Sequence, residues 1–215
     1  TGGRQANDFR RLEMVSPYGQ SSTQLDATYE QLNAALGFKT SPVTGLWFNI
    51  YGGYQDLKNN LASAAIANYS GSYLQLLQGN MHNIYAGAEA SYSYKDIISF
   101  TASGIYRDWK TAKTENNSGD QLLYYMPSFE ANFKVDIRPV SSVLINLGYQ
   151  HITREKIGNE RVDPVGNLYL GGSYEVFEGI SIYVRANNLL NKDYQYYPGY
   201  PTEGINFMGG VSFRF

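Results

Sequence analysis

The chain has 215 residues, a formal net charge of −2 and no cysteine. Near-neutral charge supplies no basic footprint for nucleic acid, and the absence of Cys excludes disulfide scaffolds, iron–sulfur clusters and thiol chemistry. Twenty Tyr and 22 Gly beside only 17% charged residues favour antiparallel sheet, in which Tyr suits positions with one dry and one wet end.

No apolar run reaches the length of about 18 residues that a membrane-spanning helix needs. A spanning β-strand needs only about 9–11 residues with one apolar face, so this does not exclude a membrane. The start, Thr1-Gly2-Gly3-Arg4, has no basic, apolar, small-residue signal sequence. Either a signal was removed or the chain is a piece of a longer one, and the sequence leaves both open.

Residues 1–23 are poorly periodic and are read as an ill-defined N-terminal segment or partial strand, with barrel strands over 24–215. From Gln24, Leu25, Ala27 and Tyr29 alternate with polar neighbours; the phase then slips to Leu32, Ala34, Leu36 and Phe38, which means a bulge or an upper half that has left the apolar layer. A short turn at 40–45 leads to a strand through Leu46, Phe48, Ile50, Gly52 and Tyr54. Residues 57–80 are the least regular and are expected to form a long loop, with a short helix open to 61–67. Next come two strands, Ile84 to Tyr94 and Ile98 to Tyr106, joined by the tight turn Lys95-Asp96. A polar loop at 111–121 precedes a strand with Phe129, Ala131, Phe133, Val135 and Ile137 on one face; a short turn at 138–141 and a strand through Val143, Ile145, Leu147 and Tyr149 follow. After the charged loop 153–166 come strands carrying Leu168 to Val176 and Ile180 to Ala186, split by a turn at 177–179. The loop 190–203, rich in Tyr, Pro and Gly, leads to the last strand, whose face Ile205, Phe207, Gly209, Val211, Phe213, Phe215 is apolar.

This makes nine strands, starting at Gln24, Leu46, His82, Ile97, Leu122, Ser142, Asn167, Ile180 and Gly204. Short turns alternate with long polar loops, the pattern of an outer-membrane barrel. In lipid every backbone group must be paired, so such a sheet closes on itself or is completed by further strands. Trp47, Tyr54, Tyr92, Tyr94, Tyr106, Trp109, Tyr125, Tyr149, Tyr174 and Phe215 lie near strand ends and suit two interfacial girdles, although aromatics are common in any β-protein.

Two motifs near the end carry a resemblance. Asn188-Leu189-Leu190-Asn191-Lys192-Asp193-Tyr194, a Tyr/Pro/Gly loop, and the ending Gly210-Val211-Ser212-Phe213-Arg214-Phe215 resemble the C-terminal barrel segment of TonB-dependent outer-membrane receptors, with Leu190 where the family has Phe. The resemblance implies an all-β fold, a transmembrane antiparallel β-barrel with about nine or ten strands present out of a larger 22-strand barrel. It implies location in the outer membrane of a Gram-negative cell and uptake of a scarce solute such as an iron–siderophore, a vitamin or a glycan. It further implies partners: outer-membrane lipid, the barrel-assembly machinery, and TonB and a plug domain through an N-terminal part not recognisable here. Gly210, Phe213 and Phe215 resemble the terminal assembly signal, beside the plainer reading of a lipid-facing strand. The alternative is a small complete ten-strand barrel acting as a pore, adhesin or surface binder.

An enzyme reading finds little support. His82 and His151 have no metal-ligand spacing and no nucleophile beside them. Glu155, Glu160 and Asp163 lack the spacing of a calcium loop, and the Gly-Gly pairs are not phosphate cradles because no helix follows them. No catalytic residue, metal or cofactor is expected. The polar face holds Asp26, Glu30, Glu89, Arg107, Glu130, Lys134, Arg185 and Arg214. Any water-filled or plug-filled interior requires such residues. As a set they form a lumen wall, with Arg107, Glu130, Lys134, Arg185 and Arg214 as the lumen-facing candidates.

Overall fold

The computed structural model describes residues 3–4, 11–16, 19–24, 26–68, 71–111, 123, 126–155, 163–197 and 200–214. Fourteen strands are formed and no helix occurs among these residues: β1 (Gly3–Arg4), β2 (Arg11–Ser16), β3 (Gly19–Gln24), β4 (Tyr29–Val43), β5 (Leu46–Asn68), β6 (Gly71–Tyr94), β7 (Ile98–Thr111), β8 (Pro127–Ile137), β9 (Val143–Arg154), β10 (Val165–Phe177), β11 (Ile180–Asn187), β12 (Gln195–Tyr197), β13 (Tyr200–Pro201) and β14 (Asn206–Phe213). Ten of them make one sheet in the order β1-β4-β5-β6-β7-β8-β9-β10-β11-β14, while β2 pairs with β3 and β12 with β13. All pairings in the large sheet are antiparallel. The nine long strands match the nine expected from the alternation, and the predicted phase slip is a register shift between Glu30 and Leu32.

Directly opposed residues of an antiparallel pair share a face, so each cross-strand row samples one side of the wall. The row Leu46, Tyr92, Phe100, Val135, Leu147, Leu170, Ala186, Phe207 crosses eight strands with no charged or amide side chain and one hydroxyl, that of Tyr92. The row Lys39, Asn49, Glu89, Ser103, Asn132, Gln150, Asn167 crosses seven without a large apolar one. The apolar side is not covered: Leu36 is 86% and Phe207 80% exposed. An uncovered apolar face of that extent is unstable in water and is what hydrocarbon requires.

The β6–β7 turn has Lys95 and Asp96 at φ 48° and 55°, the doubly positive geometry of a type I′ hairpin. Two expectations are corrected. Residues 57–68 and 71–80 are neither loop nor helix: β5 and β6 run on as a paired ribbon to Asn68 and Gly71, each strand supplying the other's backbone partners. Trp47 and Trp109 do not join an outer girdle. They lie opposite Ser91 and Asn83 on the polar face, and Trp109 is buried against Met81. Tyr54, Tyr92, Tyr94, Tyr106, Tyr149 and Tyr174 do stand on the apolar face; Tyr125 and Phe215 lie outside the described residues.

The polar face contains a packing device that alternation alone does not reveal. Tyr85 opposes Gly53 and Tyr51 opposes Gly87 across β5–β6; Tyr169 opposes Gly148 across β9–β10; Tyr183 opposes Gly210 across β11–β14. In each case the Tyr ring occupies the space a Cβ would need, which would come within 2.7 Å of the ring's Cζ at Gly53, 2.4 Å at Gly87, 2.2 Å at Gly148 and 2.7 Å at Gly210. Glycine is therefore required at these positions so that the rings can lie against the wall, a cross-strand covering of glycine by an aromatic ring.

Candidate functional site on the polar face

The described strands place Arg107, Glu130, Lys134 and Arg185 on the polar face, and Arg214 follows β14 with the same parity. The structure brings together only the first two, whose side chains form an ion pair linking β7 to β8. Lys134 pairs along its own strand with Asp136 at 2.8 Å. Arg214 is positioned by its backbone, its N–H donating to the Gly179 carbonyl at 2.7 Å.

Glu30, Asn33, Gln55, Asn83 and Tyr85 form a contiguous network over β4–β6. The Glu30 carboxylate accepts from Asn33 Nδ2 at 2.9 Å and Gln55 Nε2 at 2.7 Å. Asn83 Nδ2 donates to Gln55 Oε1 at 2.9 Å, and the Tyr85 hydroxyl donates to Asn33 Oδ1 at 3.0 Å. Asn83 is fully buried, beside a small apolar cluster of Met81 and Trp109 packed by Leu57, Leu123 and Met126. The Trp109 indole N–H donates to the Pro127 carbonyl at 2.9 Å. At this rim burial raises the Glu155 carboxyl above its ordinary range, and the Asp108 charge adds to the effect. No group of His, Asp and Glu among the described residues has the arrangement of a metal site.

The second ordered feature is the connection between β11 and β14. Asn188 is 1% exposed, and its side chain ties the connection at three points. Its Nδ2 donates to the carbonyls of Lys192 at 2.9 Å and Glu203 at 3.0 Å, and its Oδ1 accepts from Lys192 N at 3.1 Å. Its backbone N–H donates to Asn167 Oδ1 at 2.9 Å on β10. Asn188 and Asn191 have φ of 51° and 48°, a region that Asn tolerates better than most residues. Tyr194 is buried beneath, its carbonyl held by Thr202. Tyr196 reaches across to donate to Gln150 Oε1 at 2.7 Å, so the connection leans over the polar side. The motif residues thus have a mechanical role that sequence recognises only as a resemblance.

The three residues that resemble a terminal assembly signal do not share one face. Gly210 is on the polar face beneath Tyr183, Phe213 is exposed on the apolar face opposite Ile180, and Phe215 lies outside the described residues. His82 stands beside Tyr54, and His151 lies between Phe129 and Tyr149, as ordinary aromatic neighbours.

No protein-family model matches the chain, and no curated protein matches it in sequence. Solved structures do. The copper transporter OprC superposes with a TM-score of 0.67 at 17% identity, over 89% of this chain and 32% of that one. The ferric enterobactin receptor PfeA of Pseudomonas aeruginosa gives 0.67 at 16% identity, over 100% and 37%. The ferric-catecholate import receptor Fiu of E. coli K12 gives 0.66 at 14%, over 100% and 32%. The chain has the fold of the barrel segment of TonB-dependent outer-membrane receptors. It spans about a third of the length of these structures. All three are transporters or receptors by name.

Proposed function

We propose that this chain is part of the wall of a larger outer-membrane barrel that takes up a scarce solute, an iron–siderophore, a vitamin or a glycan, with TonB supplying the energy through a plug domain inside the barrel. One observation carries this reading. The sheet has an uncovered apolar face and a hydrogen-bonded polar face, yet both of its edges stand open among the described residues: β14 pairs only with β11, and β4 pairs on its outer side only with the two residues of β1. Backbone groups cannot be left unpaired in hydrocarbon, so further strands must satisfy these edges. β1 indicates where one of them runs. Gly3 and Arg4 oppose Glu30 and Tyr29 at the start of β4, and chain preceding them in the same direction would pair with residues 31–43.

A small complete barrel, the pore or adhesin alternative, would need β14 to pair with residues 1–25. In the described part of that stretch β1 meets β4 and β2 meets β3. Expression of the full-length gene product in a strain lacking its own siderophore and vitamin receptors tests the proposal. Uptake of at least one of labelled ferric siderophores, cobalamin or oligosaccharides should appear with TonB and vanish without it. Uptake independent of TonB, or none across all three classes, would overturn the reading.

A further inference from the structure

Arg185 differs from the other candidates of the wall in how it is held. Its guanidinium carbon lies 4.2 Å from the centroid of the Tyr169 ring, and that ring lies against the backbone of Gly148. Backbone, ring and guanidinium make a three-layer stack across β9, β10 and β11. A chain of amides fixes the guanidinium in its own plane. Asn206 Nδ2 donates to the Gly204 carbonyl at 3.2 Å, Asn187 Nδ2 to Asn206 Oδ1 at 3.1 Å, and Arg185 Nε to Asn187 Oδ1 at 2.8 Å. The connection before β14 thereby sets the direction of the side chain.

Among the described residues one N–H of the guanidinium is used, the Nε–H toward Asn187, and the two Nη groups are not. Among the described residues no carboxylate pairs with Arg185, and the side chain is exposed on the polar face. On β11 and β14 its inward neighbours are Tyr183, Asn187, Met208 and Gly210, none of them acidic. A planar cation held on an aromatic ring, with its free edge outward and no counter-ion, matches a group with two acceptor oxygens, because a guanidinium fork binds such groups bidentately and has lost little side-chain freedom in doing so.

We propose that Arg185, stacked on Tyr169 and aligned by Asn187, is an oxyanion-binding fork on the inner wall that receives a carboxylate or phosphate group of the transported solute. This rests on the transport reading, but its test does not use uptake. The full-length purified protein is treated with phenylglyoxal, which labels guanidinium groups, and labelling at Arg185 and at the exposed turn residue Arg138 is followed by peptide mass spectrometry. Citrate and inorganic phosphate should each slow labelling of Arg185 several-fold relative to chloride at equal ionic strength, and leave Arg138 unchanged. Asn187→Ala should keep Arg185 reactive and abolish the protection; Tyr169→Ala should do the same, and heat-modifiable gel mobility shows that both variants are folded. Equal behaviour of Arg185 and Arg138 would overturn the proposal, as would full protection retained in Asn187→Ala. It would also fail if Arg185 were unreactive until the plug domain is removed, because the fork would then serve a protein carboxylate. Absent uptake with intact protection would sink the transport reading and leave the oxyanion site standing.

Discussion

The Tyr183 ring covers Gly210 at the directly opposite position of β14, with its hydroxyl oxygen 2.6 Å from where a Cβ would stand. This contact specifies something that hydrophobic alternation cannot. A one-residue slip would turn the apolar face of β14 inward, but a two-residue slip would keep every side chain on its face. Such a slip would bring Met208 or Ser212 opposite Tyr183, and the ring would lose its seat. Gly210→Val should cost about 1–3 kcal/mol, the usual range for forced overpacking, as a lowered urea midpoint in lipid vesicles. Tyr183→Ala should recover part of that loss in the double variant. The chain has no Cys, so the native pair Ser181→Cys and Ser212→Cys can report the register; disulfide formation that falls in Tyr183→Ala is the expected result.

Register is specified more strongly in β5–β6, where two such joints run in opposite senses. A two-residue slip in one direction would place Tyr51 directly opposite Tyr85, and in the other would leave Gly53 opposite Gly87. Gly87→Leu should therefore lower the yield of folded protein more than Gly104→Leu, since a Cβ at Gly104 meets nothing closer than 3.7 Å. Heat-modifiable mobility after refolding measures both.

Charge should be tolerated by face and not by hydrophobicity alone. Leu147→Arg, in the apolar row, should destabilise by about 2–4 kcal/mol if it lies near the membrane midplane. Ser173→Arg, one face over on β10, should have little effect. Equal losses at the two sites would show that the polar face is not the lumen.

Asn188→Ala removes a fully satisfied buried amide and leaves the carbonyls of Lys192 and Glu203 without their donor. Each buried group stripped of its partner costs about 1–3 kcal/mol. The loss should be local, seen as faster hydrogen exchange and earlier proteolytic cutting across residues 188–205 with the barrel intact.

Tyr194, in the same connection, has its pKa pushed up to about 12, first by burial and then by Tyr196. The folded state holds the phenol neutral while the unfolded chain ionises near its ordinary value of about 10. The contribution is therefore complete below pH 10 and is lost as the pH rises toward about 12. Tyr194→Phe should flatten the difference in unfolding midpoint between pH 9 and pH 11, and an unchanged slope would contradict the assignment.

The alternation of residues such as Phe129, Ala131, Phe133, Val135 and Ile137 with Ser128, Glu130, Asn132, Lys134 and Asp136 was enough to determine the nine long strands, their two faces and the short turns. Those depend on a period of two and on local turn chemistry, which adjacent residues carry. The phase slip after Glu30 was legible for the same reason, and the register shift of β4 against β5 decides that it is a bulge. The extended β5–β6 ribbon was not, because Asn59, Asn60, Gly71 and Gly79 read locally as loop signals, while the pairing that makes the stretch strand lies across the hairpin. Which of the five wall residues meet, why Gly210 is glycine, and how Gly204, Asn206 and Asn187 align Arg185 depend on cross-strand register and on a connection that folds back over the wall. Those relations join residues distant in the chain, and only the tertiary structure decides them.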